Sequence, residues 1–233
     1  MSNRTALVTG SSSGIGRAVA ERLLSDGWRV HGIDVAPSGI AHQAYFAHTV
    51  DLADEAATDA VLDDTLAQGV PGALVHAAGI LRVGRLGSLK SADTSLMWRL
   101  HVDAAMRIAN RLVPSMSDAG GGRVVMIGSR VSAGMPGRSQ YAACKAALVA
   151  LTRSWAAEFV SSGVTVNLVS PSATETPMLV DPSRAGAQPR LPPIGRFIRP
   201  AEIAALVAYL LSPDAVAITG QDIAICGGAS LQH

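Results

Sequence analysis

Two side chains that could together move a proton lie four residues apart, in Tyr141-Ala142-Ala143-Cys144-Lys145. On a helix this spacing places both side chains on one face, so that the lysine ammonium can approach the tyrosine phenol. A neighbouring positive charge favours the phenolate, and we therefore expect the pKa of Tyr141 to fall toward working pH. Such a tyrosine can give a proton to, or take one from, a carbonyl or alcohol oxygen.

A glycine-rich segment lies near the start of the chain, with the sequence Thr9-Gly10-Ser11-Ser12-Ser13-Gly14-Ile15-Gly16. Its glycines allow a tight turn and let a pyrophosphate approach the backbone, and the helix that follows offers unpaired N–H groups and a positive dipole end. The spacing is G-x-x-x-G-x-G rather than G-x-G-x-x-G. A glycine-rich turn without a ligand is the alternative, but the first strand-to-helix junction is where a nucleotide-binding sheet places such a loop.

Asp34 ends the predicted second strand, 18 residues after Gly16. We expect its carboxylate to accept hydrogen bonds from the adenosine ribose and to repel a 2′-phosphate, which favours NAD over NADP. Neither Ser13 nor Val35 offers a basic side chain for that phosphate. Asp34 could instead be a turn former. Asp51, after the third strand, could receive the adenine amino group or could serve the start of the next helix.

Strand-like and helical segments alternate along the whole chain. Strands are predicted at 5–9, 28–33, 44–50, 73–76, 123–127, 164–169 and 222–225, and helices at about 15–25, 54–68, 92–117, around Tyr141 to about 161, and 200–211. This alternation predicts a single-domain α/β protein over residues 1–233, with a doubly wound (Rossmann) parallel sheet and helices on both faces. Segment 178–199 is rich in proline and arginine without a clear period, and we expect a mobile substrate loop there.

The composition excludes several classes of protein. At 233 residues with 48% apolar but only 4% aromatic residues, the core must be built mainly from Ala, Val, Leu and Ile. A formal net charge of +1 gives no reason to expect nucleic acid or an anionic membrane as partner. Cys144 and Cys226 are too few for a disulfide framework or a metal site. No apolar run approaches the ~20 residues of a membrane span, and we expect a cytoplasmic protein.

Taken together, these motifs make the chain resemble the short-chain dehydrogenase/reductase family over its whole length. The matching residues are Thr9–Gly16, Asp51-Leu52, Ser129 followed by Tyr141-x-x-x-Lys145, Asn167 with Pro171-Ser172-Ala173-Thr174-Glu175-Thr176, and Thr219-Gly220-Gln221 with Gly227-Gly228. The resemblance implies a seven-stranded sheet, a nicotinamide cofactor and a homodimer or homotetramer built on two long central helices.

The resemblance also implies roles for individual residues. Tyr141 would be the acid/base, Lys145 would lower its pKa and hold the nicotinamide ribose, and Ser129 would hydrogen-bond the substrate oxygen. Thr176 and the backbone near Ala173 would hold the carboxamide. The cofactor contacts implied in this way are Gly10, Ser12, Ser13, Gly14, Ile15, Gly16, Asp34, Asp51, Leu52, Ala78, Gly79, Tyr141, Lys145, Pro171, Ala173, Thr174 and Thr176.

The chain departs from the family pattern at several positions. His101 stands where the family usually has an asparagine that organises a water relay behind the lysine. Its ring could relay protons because a histidine pKa lies near neutrality, or it could be a packed, neutral residue. The family's Asn-Asn-Ala-Gly is here His76-Ala77-Ala78-Gly79, and its Pro-Gly is Pro171-Ser172. These departures indicate an unusual subgroup.

The substrate pocket is expected between the segments after Gly79, between Ser129 and Tyr141, and in loop 178–199. These segments contain Arg82, Arg85, Arg130, Arg138, Arg184, Arg190, Arg196 and Arg199. An arginine could bind a carboxylate or sulfonate in bidentate fashion, or these side chains could be solvated surface and subunit contacts.

The motifs favour an NAD-dependent oxidoreductase that transfers a hydride between nicotinamide and a secondary alcohol or ketone. The alternative is an NADPH-preferring carbonyl reductase of 3-oxoacyl type. A nucleotide-sensing protein without catalysis is a third possibility, and the presence of Ser129, Tyr141 and Lys145 together argues against it.

Overall fold

The structure is a computed structural model that describes residues 4–181, 184 and 189–231. Its strands are β1 (Thr5–Thr9), β2 (Arg29–Asp34), β3 (Tyr45–Thr49), β4 (Ala73–His76), β5 (Gly122–Ile127), β6 (Val164–Pro171) and β7 (Asp222–Ile225). Its α-helices are α1 (Gly14–Ser25), α2 (Glu55–Ala67), α3 (Ser91–Trp98), α4 (Ala104–Asp118), α5 (Ser139–Phe159) and α6 (Pro200–Leu210).

The seven strands form one parallel sheet in the order β3-β2-β1-β4-β5-β6-β7. The order reverses direction between β1 and β4, which is the switch point where doubly wound sheets bind their ligands. The predicted doubly wound sheet is therefore confirmed.

Alternate residues of the strands point to opposite faces, and each face is covered by helices. In β1, Leu7 packs with the residues of α2, α4 and α5, whereas Ala6 and Val8 pack with those of α1 and α6. Both apolar clusters consist mainly of Ala, Val, Leu and Ile, as the composition predicts. In the part of the chain that the structure describes, no helix is both long enough and apolar enough to cross a bilayer.

The long helix predicted over 92–117 is divided. A π-helical turn, Arg99–Asp103, separates α3 from α4. Single π-turns of this kind often occur at functional sites. Part of the predicted mobile loop 178–199, namely 182–183 and 185–188, lies outside the described residues. In the described part of the chain, Pro177–Leu179 forms a short 3₁₀ turn at the start of this segment, and Ile198, near its end, pairs with Thr174 as an isolated bridge.

Candidate active site

A cleft of about 1200 Å³ opens at the edge where β1, β4, β5 and β6 end. Because parallel strands bring their carboxyl ends to the same edge, the loops that follow them meet there. The four candidate catalytic side chains all line this cleft: Ser129, Tyr141, Lys145 and His101.

Tyr141 and Lys145 lie one turn apart near the start of α5, and both are buried. The ammonium Nζ of Lys145 is 5.6 Å from the centre of the Tyr141 ring. It donates a hydrogen bond of 2.7 Å to the carbonyl oxygen of Ile127, the last residue of β5. The end of β5 therefore holds the lysine beside the phenol, as the four-residue spacing predicts.

The predicted fall in the pKa of Tyr141 is wrong for this structure. Burial raises that pKa to about 12, because the phenolate would lose its hydration. The Ser129 hydroxyl and the guanidinium groups of Arg138 and Arg184 lower the pKa, but by less than burial raises it. Burial also lowers the pKa of Lys145 to about 7, which weakens the positive charge on which the prediction depended.

Ser129 follows β5 and precedes a 3₁₀ turn, Arg130–Ala133. Its hydroxyl oxygen accepts a 3.2 Å hydrogen bond from the N–H of Val131, which fixes the side chain at the mouth of the turn. The proton of the Ser129 hydroxyl is then free to be donated. Because a hydrogen bond from Ser129 lowers the pKa of Tyr141, this proton is directed toward the phenol oxygen.

His101 lies in the π-helical turn and is buried. Its Nε2 is 2.8 Å from the carbonyl oxygen and 3.2 Å from the amide nitrogen of Ile80, and it donates to the former or accepts from the latter according to its tautomer. Its ring meets the Tyr141 ring edge to face, with centres 5.4 Å apart and an interplanar angle of 82°.

The expectation that the pKa of His101 lies near neutrality is also wrong. Burial, followed by the charge of Lys145, holds that pKa well below 6.5, so the ring is neutral at working pH. Its Nδ1 is buried without a hydrogen-bond partner in the described part of the chain. The structure thus places His101 as a neutral ring packed against Tyr141. A proton relay through it stays a prediction.

His76, at the end of β4, is a second buried histidine near this turn. The hydroxyl oxygen of Thr9 accepts 3.1 Å hydrogen bonds from the N–H groups of both Ala77 and Ala78. Because its two acceptor positions are filled, its own proton is donated to Nδ1 of His76, 3.0 Å away. The imidazole proton therefore lies on Nε2. Burial lowers the pKa of His76 to about 3, so this ring is neutral as well.

The glycine-rich segment has the close backbone approaches that a pyrophosphate site needs. Gly10 has a φ of +69°, and a Cβ there would lie 2.9 Å from the backbone of Ala78. A Cβ on Gly16 would overlap the carbonyl group of Gly10. Ser13, the N-cap of α1, makes no side-chain cap hydrogen bond, and the first turn holds no acidic residue.

The open N-terminus of α1 differs from the starts of α2 and α6. The Asp54 side chain caps α2 by accepting from the N–H of Ala57, and Glu202 closes the first turn of α6 by accepting from Arg199 N–H. The first N–H groups of α1 and their positive dipole end thus stay available for an anion. The residues present fit a dinucleotide pyrophosphate.

The segment after β6 lies across the cleft from the glycine-rich segment. A Cβ on Gly14 would lie 3.2 Å from the methyl group of Thr176, so the two segments are in contact range. Besides Tyr141 and Lys145, the predicted cofactor residues that line the cleft are Ile15, Pro171, Ala173, Thr174 and Thr176. Ser172 donates a 3.0 Å hydrogen bond to the carbonyl oxygen of Cys226, which ties this segment to the loop after β7.

Asp34 faces the glycine-rich segment. Its Oδ2 accepts a 2.9 Å hydrogen bond from the N–H of Ser12, and its Oδ1 accepts one of 3.0 Å from the N–H of Ala36. It therefore forms a turn and also presents a carboxylate at the end of β2. Asp51 is exposed and accepts from the N–H of Ala53, which supports the helix-start alternative, and Leu52 is buried in the core.

Other matched residues hold the sheet together outside the cleft. Asn167 of β6 donates a 2.7 Å hydrogen bond to the carbonyl oxygen of Ile218 and accepts one of 3.2 Å from the N–H of Gln221. The Thr219 hydroxyl accepts from the N–H of Val166. These contacts fix the approach to β7, a pairing of distant segments that spacing alone does not reveal.

The arginines of the predicted pocket divide into two groups. Those that line the cleft are Arg85, Arg130, Arg138, Arg184 and Arg190. Those that form ion pairs instead are Arg82 with Asp93, and Arg196 and Arg199 with Glu202.

Comparisons with known proteins show which proteins this chain is similar to. A family model described as enoyl-(acyl carrier protein) reductase matches residues 10–230. The chain is 35% identical to the 3-oxoacyl-[acyl-carrier-protein] reductase of Salmonella typhimurium, over 97% of this chain and 96% of the relative. It is 33% identical to a (2S)-[(R)-hydroxy(phenyl)methyl]succinyl-CoA dehydrogenase subunit of Thauera aromatica, over 98% and 97% of the two chains.

Two solved structures share the fold closely. Ligand-free aldohexose dehydrogenase of Thermoplasma acidophilum superposes with a TM-score of 0.90 at 25% identity, covering 98% of this chain and 94% of that one. The 3-ketoacyl-(acyl-carrier-protein) reductase of Brucella melitensis, solved with NADH, superposes with a TM-score of 0.88 at 26% identity, covering 97% and 98%.

Proposed function

This chain belongs to the short-chain dehydrogenase/reductase family, and we propose that it is a nicotinamide-dependent oxidoreductase that interconverts a secondary alcohol and a ketone. The observation that carries the proposal is the meeting of three side chains, Ser129, Tyr141 and Lys145, at one cleft beside the glycine-rich segment. Each has a distinct part in moving a proton at a carbonyl oxygen.

The nicotinamide coenzyme, when bound, supplies or accepts the hydride. The N-terminus of α1 would hold its pyrophosphate, and the segment from Pro171 to Thr176 would face its nicotinamide end. In reduction, the Tyr141 hydroxyl donates its proton to the substrate oxygen as that oxygen gains negative charge. The Ser129 hydroxyl donates a hydrogen bond to the same oxygen. In oxidation, the proton returns to the tyrosine oxygen.

Lys145 supports this proton transfer by its position. Its side-chain nitrogen stands beside the Tyr141 ring and is anchored on the Ile127 carbonyl oxygen, so the charged form of Lys145 would stabilise the phenolate that each turnover forms. Since the pKa of Tyr141 is raised to about 12 by burial, this stabilisation is needed for the deprotonated state to form near neutral pH.

We place NAD(H) as the preferred coenzyme. The carboxylate of Asp34 stands at the end of β2, held by the N–H groups of Ser12 and Ala36, where it would accept from a ribose and repel a 2′-phosphate. Ser13 and the exposed Val35 offer no positive charge for such a phosphate. The Brucella relative solved with NADH supports the same choice.

The alternative is an NADPH-preferring carbonyl reductase of 3-oxoacyl type. For the substrate, the relatives favour this alternative, because the Salmonella protein is named for reduction of a 3-oxoacyl group. Assays with simple ketones and 3-oxoacyl thioesters, each with NADH and NADPH, separate the two proposals.

The central prediction is that Tyr141→Phe retains coenzyme binding but lowers turnover by at least about 100-fold, because the proton donor is lost. NADH fluorescence measures binding, and NADH absorbance with a ketone panel measures turnover. The matched control is Tyr209→Phe, which removes the hydroxyl of an exposed tyrosine on α6 and should change neither quantity. Undiminished turnover in Tyr141→Phe would refute the role of this hydroxyl.

We also propose a cytoplasmic homodimer or homotetramer. The partly exposed Trp98 and Met106, on the central helices α3 and α4, support association through that face. Both cysteines are free thiols, which supports a reducing compartment. Sedimentation velocity measures the assembly.

A further inference from the structure

The cleft has an unbalanced charge. Its described lining includes five arginines and Lys145 but no aspartate or glutamate. Gathering several positive groups in a concave site costs free energy, because they repel each other and lose part of their hydration. Several arginines outside the cleft are paired with carboxylates, for example Arg107 with Asp59 and Arg196 with Glu202. The excess positive charge of the cleft therefore favours binding of an anion that is not part of the chain.

Arg138 stands closest in sequence to the catalytic tyrosine. It is the N-cap of α5, three residues before Tyr141, so that both side chains leave the same end of the helix. Its backbone is fixed, since its N–H donates to the carbonyl oxygen of Met135 and its own carbonyl accepts from Ala142 N–H. The side chain is half-buried.

Arg184 reaches the same place from the segment after β6. Its Nη1 donates a 3.2 Å hydrogen bond to the carbonyl oxygen of Met178, and its Nε is buried without a hydrogen-bond partner in the described part of the chain. Burial lowers the pKa of Arg184, and the charges of Tyr141 and Asp181 offset this only in part.

The two guanidinium groups act on each other and on the phenol. The charges of Arg184 and Arg130 disfavour the charged form of Arg138, and both Arg138 and Arg184 favour the phenolate of Tyr141. Arg138, Arg184 and Tyr141 also line the same cleft, and Arg138 leaves the same end of α5 as Tyr141. A group bound by the pair would therefore lie in the cleft where Tyr141 exchanges its proton.

We propose that Arg138 and Arg184 bind a carboxylate or sulfonate of the substrate itself, which is thus a small oxo or hydroxy acid. The inference rests on the proposed function and adds its substrate class. A planar guanidinium fork matches either anion in bidentate fashion. The phosphates of a long carrier thioester would lie farther from the reacting carbon, so the anion belongs to the short substrate. The apolar lining by Leu81, Val131 and Met178 suits its carbon chain.

The first test compares substrates that differ only in charge. Acetoacetate, acetoacetamide and 2-oxopropanesulfonate share a methyl ketone and differ in the group one carbon away. We expect kcat/KM for at least one of the two anions to exceed that for the amide by about tenfold or more. Acetoacetyl-CoA tests whether the enzyme instead takes its substrate as a carrier thioester. If acetoacetyl-CoA is the preferred substrate and Arg138→Met leaves its kcat/KM unchanged, the inference is overturned.

The second test uses variants and reads a ratio, so that a general loss of activity cancels. Arg138→Met and Arg184→Met should each lower the ratio of kcat/KM for the preferred anion over the amide by about tenfold. Arg138→Lys, which keeps the charge but loses the fork, should fall between. Arg153→Met, an exposed arginine on α5 outside the cleft, is the matched control and should leave the ratio unchanged. Equal ratios in wild type and both cleft variants overturn the inference.

A binding measurement separates this inference from the proposed function. In Tyr141→Phe with coenzyme, calorimetry should show tighter binding of the anion than of acetoacetamide, independent of turnover. If this preference is present while wild type reduces no ketone, the anion site stands and the proposed function falls. If ketones are reduced without any preference for the anions, the function stands and the anion site falls.

Discussion

The side chains of Tyr141 and Lys145 share one buried site. Burial raises the pKa of Tyr141 and lowers that of Lys145, and both shifts favour the uncharged form. Sequence spacing predicts that the two groups meet, and they do. It does not predict the sign of the pKa shift of Tyr141, because that sign depends on how much water the fold removes. Arg138 and Arg184 supply the opposing charge, and their convergence depends on a loop whose path no periodicity reveals.

At the residue scale, Asp34 should set the coenzyme preference. We expect wild type to favour NADH over NADPH by about tenfold or more in kcat/KM, because the carboxylate repels a 2′-phosphate. Asp34→Asn keeps an oxygen that can accept from the N–H of Ser12 but loses the charge, so the preference should narrow. Coenzyme titrations at a fixed substrate concentration measure the ratio of kcat/KM for NADH over NADPH in wild type and in Asp34→Asn.

The matched control for Asp34 is Asp118→Asn, an exposed carboxylate at the end of α4. It should leave the coenzyme ratio as in wild type. A wild-type protein that prefers NADPH would contradict the role assigned to Asp34 and would favour the 3-oxoacyl alternative.

At the element scale, the π-helical turn Arg99–Asp103 brings His101 onto Tyr141. The sequence predicts one continuous helix here, because a single π-turn inside a helix is too short for the spacing of apolar residues to reveal it. The turn has room only because residue 79 lacks a side chain: a Cβ on Gly79 would lie 2.5 Å from His101 Nδ1 and closer still to Cε1. The glycine kept in His76-Ala77-Ala78-Gly79 thus has a packing reason.

Gly79→Ala should therefore destabilise the protein by about 1–3 kcal/mol, since the buried His101 ring has to shift. Thermal unfolding measures the loss as a lower Tm. Gly39→Ala is the matched control, because its nearest neighbour would be the end of the Arg17 side chain at 3.9 Å, and its Tm should stay close to that of wild type. Adding His101→Asn to Gly79→Ala should recover part of the loss. An unchanged Tm in Gly79→Ala would contradict the overlap.

At the scale of the whole molecule, local pattern predicts most of the architecture. The bounds of β1, β4 and β7 agree with the prediction, and the other strands differ at their ends by one or two residues. This is because buried parallel strands are short apolar runs bounded by turns. No local pattern predicts long-range hydrogen bonds such as those of Asn167 with Ile218 and Gln221, because the fold brings these distant segments together.

Acid stability is another property of the whole fold, because its buried histidines lie at different places in the sheet. Burial lowers the pKa of His76 to about 3 and that of His31 to about 4, from 6.5 in both cases. Above pH 6.5 both rings are neutral in the folded and the unfolded protein. Below that pH the unfolded chain takes up protons that the folded chain does not, so the free energy of unfolding should fall until about pH 3 to 4.

His76→Asn tests this origin of the acid lability, because an asparagine oxygen can still accept from the Thr9 hydroxyl but does not titrate. The slope of the unfolding free energy against pH, between about 6.5 and 4, should decrease by about 1.4 kcal/mol per pH unit, the contribution of one proton. Urea unfolding over this range measures it, and His42→Asn, at an exposed position, should leave the slope unchanged. If His76→Asn keeps the wild-type slope, the His76 ring takes up its proton equally in both states, and the acid lability arises from other groups.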